Sequence, residues 1–276
     1  MNAGVGRIET RTAPSHADFA GPLRIVVLTY PCESAAMLLE HLQARGFVVA
    51  AVVLRRNHGV TRCWRLVRCL GVWRVSQLAL DRLRAWVFRS RFQTWRCDAF
   101  YAARADRLVV VPHLNAPSCR TALESLRPDV ALIGGAGILC PEVFGIPRFG
   151  TLNVHPGLLP RYRGCSPVTW AVAERSDTGV TVHVVDSGID TGPIVAQELV
   201  GAQPGDTLAT LTCRLFAVGF ELVADALDRL QRGAPLSIGP QPEERSRYYR
   251  VAPRAVRRRA ERNLAELARR APQGAR

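Results

Sequence analysis

The chain contains no lysine. All 37 of its basic residues are therefore arginine, set against 23 acidic ones for a formal net charge of +14. A complement made wholly of arginine reflects codon bias as readily as function, and nucleic-acid binding is argued from clustered charge rather than totals. Paired cysteines are absent as well. Eight stand at 32, 63, 69, 97, 119, 140, 165 and 213, with no CxxC spacing and no Cys/His cluster. That excludes a zinc knuckle and a dithiol redox motif, so no metal is expected. Unpaired cysteines in apolar runs fit a reducing compartment, and the expected location is the cytoplasm. Residues 1–20 are mixed and polar, without the apolar segment of a secretory signal, and no uninterrupted apolar run reaches membrane-spanning length.

What is present reads as an α/β chain. Residues 1–22 form a loose leader rich in Gly, Thr, Pro and Ser. Leu23 to Thr29 is an apolar strand, Glu33 to Arg45 a helix with Ala36, Leu38, Leu39 and Leu42 on one stripe, and Phe47 to Leu54 a second strand after Gly46. Strand, helix and strand in that order predict a parallel βαβ unit. Its first turn, Tyr30 to Ser34, has no glycine, so a dinucleotide fingerprint is missing. Further strands are expected at Arg107–Val111, Asp129–Ile133, Thr178–Asp186 and Ile194–Val200. A helix is expected over Cys119–Leu126, and Asp206 is expected to cap a long helix that runs to Leu230.

Residues 55–107 interrupt this pattern. Between 55 and 96, eleven arginines are interleaved with Trp64, Trp73, Trp86, Trp95, Phe88 and Phe92. Two helices, Thr61–Leu70 and Ser76–Phe92, would make an inserted hairpin. It could pack its aromatics on the core or on a second subunit, lie on an anionic membrane surface through 61–96, or stack on bases. A homodimer stays open. The tail, 236–276, repeats the basic character and reads as a solvated helix or, in the sharper alternative, as a contact for RNA or an acidic acceptor.

The centre of the chain carries the chemistry. Asn153 and His155 are two apart at the end of an apolar run, which in a strand puts both side chains on one face. Pro156 and Gly157 then end the strand, at the edge where open α/β sheets bind ligands. Asp190 follows in a Gly-containing loop. A lone Asn-x-His is more often a turn cap and a satisfied histidine. Joined to Asp190, it becomes an amide donor, an imidazole and a carboxylate, a set suited to attack by an amine on an acyl carbon.

The run HPGLLPRYRG from His155 to Gly164, the strand GVTVH from Gly179 to His183 and the turn DTGP from Asp190 to Pro193 resemble the folate-dependent formyltransferase superfamily. That superfamily includes glycinamide ribonucleotide, methionyl-tRNA and amino-sugar formyltransferases. The resemblance spans roughly Leu23 to Leu230. It implies a Rossmann-like formyltransferase fold, a mostly parallel sheet flanked by helices over 23–235, using 10-formyltetrahydrofolate as formyl donor. By motif position Asn153, His155 and Asp190 match the family's catalytic residues. Gly135, Gly137, Ile138, Leu139 and Asp186 match the folate pocket, and His183 matches a second histidine near it. Arg161, Arg163 and Gly164 precede a helix with Ser166 at its cap and Pro167 at its first position. An arginine there either binds a substrate anion or pins the loop.

The expected activity is N-formylation of a small-molecule amine, such as an amino-sugar nucleotide or a siderophore precursor like hydroxyornithine. Two absences point that way. The glycine-rich phosphate loop of the glycinamide ribonucleotide enzymes is missing, and the tail is shorter than the barrel that methionyl-tRNA formyltransferases append, so nucleic acid is disfavoured. The alternatives are an enzyme of the methionyl-tRNA formyltransferase kind, or a non-catalytic membrane- or RNA-associated protein that uses the Arg/Trp insertion.

Overall fold

The computed structural model describes residues 21–56 and 98–270. Residues 1–20 of the expected leader and the two Arg/Trp helices, with the membrane contact raised for 61–96, lie outside the described residues. Within them the elements run β1 (Ile25–Thr29), α1 (Glu33–Ala44), β2 (Val49–Arg55), α2 (Asp98–Ala102), β3 (Leu108–Val111), α3 (Pro117–Leu126), β4 (Val130–Gly135), α4 (Pro141–Phe144) and β5 (Thr151–His155). They continue with β6 (Arg163–Gly164), α5 (Pro167–Ala173), β7 (Gly179–Val184), β8 (Ile194–Leu199), α6 (Leu208–Gln231), β9 (Tyr248–Tyr249) and α7 (Arg254–Arg270). Seven strands form one sheet in the order β3-β2-β1-β4-β5-β7-β8.

Strands β1 to β5 pair in parallel, and their sequences show why. Ile25 and Val27 of β1 enter one core cluster while Val26 and Leu28 enter the other, and Val130 and Leu132 of β4 oppose Ala131 in the same way. A strand covered on both faces has no use for polar alternation, hence its continuous apolar run. Helices α1 and α6 cover one face. They are joined at their rims by Arg45, which pairs with Glu221, Asp225 and Asp228. Helices α3 and α4 cover the other face, with Cys119, Leu123 and Val143 in its cluster.

After β5 the direction changes. β7 pairs antiparallel with β5, and β8 antiparallel with β7. Two local expectations give way here. The α6 cap is Thr207, whose hydroxyl accepts from Thr210 N in a capping box. Asp206 instead accepts from Gln203 N and the Thr210 hydroxyl and pairs with Arg214. Ser166 does precede α5, but with φ 57 and no capping hydrogen bond from its side chain.

The tail is docked rather than solvated. Gly239 bridges to Ile194 at the start of β8, and β9 lies parallel to β6. Helix α7 buries Ala260 and Leu264, while Asn263 Nδ2 donates to the last carbonyls of α5, Val172 O at 3.2 Å and Ala173 O at 3.0 Å. A helical stripe of Val256, Ala260, Asn263 and Leu264 was hidden among the arginines.

Candidate active site

Asn153 and His155 sit on one face of β5, as the two-residue spacing requires. The reversal at β7 brings a third polar side chain beside them. Asn153 lies directly across from His183, and His155 across from Thr181. Side chains opposite each other in an antiparallel pair are in contact range, and Asn153 Nδ2 is 3.1 Å from His183 Nε2. Partners fix the hydrogens. Val184 O, 3.0 Å from His183 Nδ1, accepts that N–H, leaving Nε2 to accept from the Asn153 amide. Tyr162 O, 2.7 Å from His155 Nε2, likewise accepts an N–H, so the neutral His155 ring carries its lone pair on Nδ1.

That lone pair faces a carboxylate. Asp190 stands in the β7–β8 loop in a left-handed backbone conformation, φ 53. Its Oδ2 lies 3.5 Å from His155 Nδ1 and its Oδ1 3.5 Å from His183 Nε2. Gly164 N donates to Oδ2 at 2.8 Å. Burial holds His155 below its ordinary range, outweighing the attraction of Asp190. Burial also works against the Asp190 carboxylate, but His183, His155 and the Gly164 N–H together outweigh it and hold Asp190 below the usual carboxylate range. The two directions are coupled: with the His155 ring neutral, Nδ1 and Asp190 Oδ2 are two acceptors face to face, and a proton placed between them satisfies both. Such a pair is built to receive a proton.

The trio opens into a cavity of about 400 Å³. Gly135, Gly137, Ile138, Leu139 and Asp186, expected for the folate pocket, all line it, as do Asn153, His155, His183, Gly164 and Asp190. The wall is apolar and tightly backed, since a side chain on Gly135 would meet Cys32 Sγ at 2.7 Å. Asn115 shapes the 138–140 turn, donating to Ile138 O at 3.0 Å and accepting from Cys140 N at 3.0 Å. Asp186 accepts from Gly188 N and from the Thr191 hydroxyl at 2.6 Å, so it builds the loop that carries Asp190.

Neither Arg161 nor Arg163 is among the residues that line the cavity. Arg163 is turned inward, 9% exposed, and its Nε and one terminal nitrogen donate to Gln241 Oε1 at 3.0 and 2.8 Å. Of the two roles open to it, it has the pinning one. Arg161 is exposed, its guanidinium 5.9 Å from the centre of the Tyr162 ring and away from the cavity lining. Gly164 is required by its neighbours. Its φ is +91, and a Cβ there would strike Tyr249 O. Sequence reasoning missed Gln241, the Tyr162 carbonyl and Tyr248, which lines the cavity from the tail. A backbone carbonyl leaves no mark in sequence, and the tail had no motif to connect it with the site. Among the described residues, no group of three or more His, Cys, Asp or Glu is placed to hold a metal.

Residues 110–227 match the formyl transferase family. Methionyl-tRNA formyltransferase of Burkholderia thailandensis is 42% identical over 229 residues, 82% of this chain and 64% of that protein. The Aromatoleum aromaticum enzyme of the same name is 32% identical over 231 residues, 83% of this chain and 64% of that protein. The chain thus spans just under two thirds of the length of these curated relatives. Among solved structures, a 4-N formyltransferase from Francisella tularensis aligns with TM-score 0.55 at 14% identity, covering 91% of this chain and 90% of that one. Glycinamide ribonucleotide transformylase 1 from Symbiobacterium toebii aligns with TM-score 0.54 at 20% identity, covering 80% and 95%. At such identities the likeness shows the fold.

Proposed function

We infer that the chain is a member of the formyltransferase superfamily, whose model matches residues 110–227, and on that premise that it transfers a formyl group from 10-formyltetrahydrofolate to the amino group of an aminoacyl-tRNA. The carrying observation is the proton-accepting pair, His155 Nδ1 against Asp190 Oδ2, beside an Asn153 amide at one cavity wall. The small, apolar wall from Gly135 to Leu139 suits a flat heteroaromatic ring such as the donor's pterin. When bound, the donor supplies an acyl carbon attached to a nitrogen that can leave.

The chain's own residues then have distinct tasks. Asn153 has two N–H bonds and spends one on His183; the other is free to hold the negative charge that grows on the acyl oxygen as the amine nitrogen attacks. His155 Nδ1 takes the proton that the attacking nitrogen must lose. The imidazolium so formed has both N–H groups satisfied, one by Tyr162 O and one by Asp190 Oδ2. Asp190 stabilises that charge, and His155 can return the proton to the nitrogen that leaves. The Nε2–H of His155 is already committed to Tyr162 O, so the oxygen falls to Asn153.

Of the two acceptor classes raised from the sequence, the relatives support the alternative. The proteins 32–42% identical to this chain carry the name methionyl-tRNA formyltransferase, whereas a 4-N formyltransferase and a glycinamide ribonucleotide transformylase align as fold neighbours at 14% and 20% identity. The surface agrees with a polyanion. Exposed Arg245, Arg247 and Arg250 flank β9, which borders the cavity through Tyr248, and exposed Arg254, Arg258 and Arg262 follow at helical spacing on α7. On this reading the acceptor is a nucleic acid, which the shortness of the tail had disfavoured.

The test is a transfer assay with 10-formyltetrahydrofolate and two acceptor sets, methionyl-tRNA and amino-sugar nucleotides. Formylated methionyl-tRNA is the expected product. Formylation of sugars alone would restore the small-molecule acceptor, and consumption of donor with neither would overturn transfer to both classes.

A further inference from the structure

The polar chain behind Asp190 does not end at Gly164. Gln241 Nε2 donates to two carbonyls of the loop that carries Asp190, Asp190 O at 3.0 Å and Gly192 O at 2.7 Å. Its Oε1 accepts both hydrogens offered by Arg163. Arg163 in turn is the residue before Gly164, whose N–H holds the Asp190 carboxylate. One amide therefore joins the backbone of the Asp190 loop to the strand that grips the Asp190 side chain. Gln241 is itself held from both sides. Gly239, two residues earlier, exchanges backbone hydrogen bonds with Ile194 at 2.8 and 2.9 Å, and Arg247 O and Tyr249 O, a few residues later, accept from Arg163 N and Cys165 N.

We propose that Gln241 is a positioning residue of the active site, a clamp from the tail that sets the Asp190 carboxylate between the two histidine rings. The reasoning is geometric. Asp190 has a left-handed backbone that a non-glycine residue adopts at a cost, and its carboxylate must meet three partners from three segments at once. With Oε1 saturated by the Arg163 fork, the amide cannot flip, so Nε2 is fixed on the two carbonyls. Loss of that donor frees the loop to relax. The carboxylate then drifts from His155 Nδ1 and loses the Gly164 N–H that keeps it ionised.

The inference rests on the formyltransferase reading for its kinetic arm and stands apart from it in its structural arm. Two variants separate the roles of the side chain. Gln241→Leu removes both ends; Gln241→Glu keeps an oxygen for Arg163 and removes only the donor. Both are expected to lower kcat about 10- to 100-fold, the scale for a misplaced catalytic group, with KM for 10-formyltetrahydrofolate within about 3-fold of the parent. The acid limb of the kcat profile should move to higher pH, because Asp190 loses partners that depress its pKa. Hydrogen exchange of a peptide spanning 186–193 should accelerate in both variants. A Gln241→Glu protein with the parent's kcat, acid limb and exchange would overturn the clamp and leave Gln241 as a mere partner for Arg163. A parent that transfers no formyl group, yet whose 186–193 exchange still rises on substitution, would sink the enzymatic reading and leave the clamp standing.

Discussion

The two halves of the sheet are built on different terms. Across β2, β1 and β4 the strands are parallel, covered on both faces, and almost wholly aliphatic. From β5 to β8 they are antiparallel, and their buried positions include His155, Thr181 and His183. The first half has packing to offer and little chemistry. The second reverses that balance, because antiparallel pairing sets side chains directly opposite each other and so lets one strand supply the hydrogen-bond partner of the next. Thr181 shows the principle apart from catalysis. Its hydroxyl donates to Gly157 O and accepts from Leu159 N and Gln197 Nε2, which fixes the turn just after His155. Stability and function should accordingly be separable by position.

The largest separation is expected at the reversed half. Asp190→Asn keeps the size of the side chain and removes the charge that stabilises a protonated His155. Single-turnover formyl transfer should fall by about 10³-fold, with a thermal midpoint close to the parent's. Retention of a tenth of the parent rate would show that His155 works without its carboxylate. In the parallel half, Leu132→Ala should do the converse. Leu132 is 2% exposed at the middle of β4, so urea unfolding should report a loss of about 2–5 kcal/mol, while folded protein in the cold keeps its kcat.

The same contrast explains what could be read from sequence. Strands such as β1 and β4 announce themselves because burial on both faces leaves only apolar residues to choose from. Asn153 and His155 were legible as a pair because a strand has period two, and Asp190 because its turn belongs to a motif. Arg163 was the counterexample. As a residue type in a loop beside a strand end it reads equally well as an anion binder or a pin, and its partner, Gln241, is 78 positions away. The docking of α7 was likewise obscured, since its one apolar stripe is narrow and interleaved with arginine. Long-range polar partnerships have no periodicity, and a single sequence has no other way to display them.

Gly219 tests the layer common to both halves. It lies on α6 where the helix crosses β5 and β7, and an added Cβ would overlap the Val154 and Val180 methyls. Gly219→Ala gains helix propensity of roughly 1 kcal/mol, yet overpacking of about 1–3 kcal/mol is expected to win. A small net destabilisation should therefore appear in denaturant titrations. It should be accompanied by a drop in kcat, because Val154 lies between Asn153 and His155. A stabilised variant with full activity would show that α6 can lift from the sheet without disturbing the site.

The smallest effect sharpens the comparison most, since it isolates one proton. Burial depresses the His155 pKa in the folded state, while the unfolded chain returns it to about 6.5. A depressed group contributes stability above its unfolded pKa and loses it as pH falls toward the folded one, because the unfolded chain binds the proton first. Asp190 is depressed too, but its unfolded value lies near 3.9, so it contributes no pH dependence until the medium is far more acidic. Between pH 7 and 5 the parent should therefore lose more stability than His155→Gln, and below about pH 4 an additional loss should mark Asp190. Parallel stability curves for the two proteins from pH 7 to 5 would mean that burial does not depress His155, and that the ring takes its proton as readily in the folded chain as in the unfolded one.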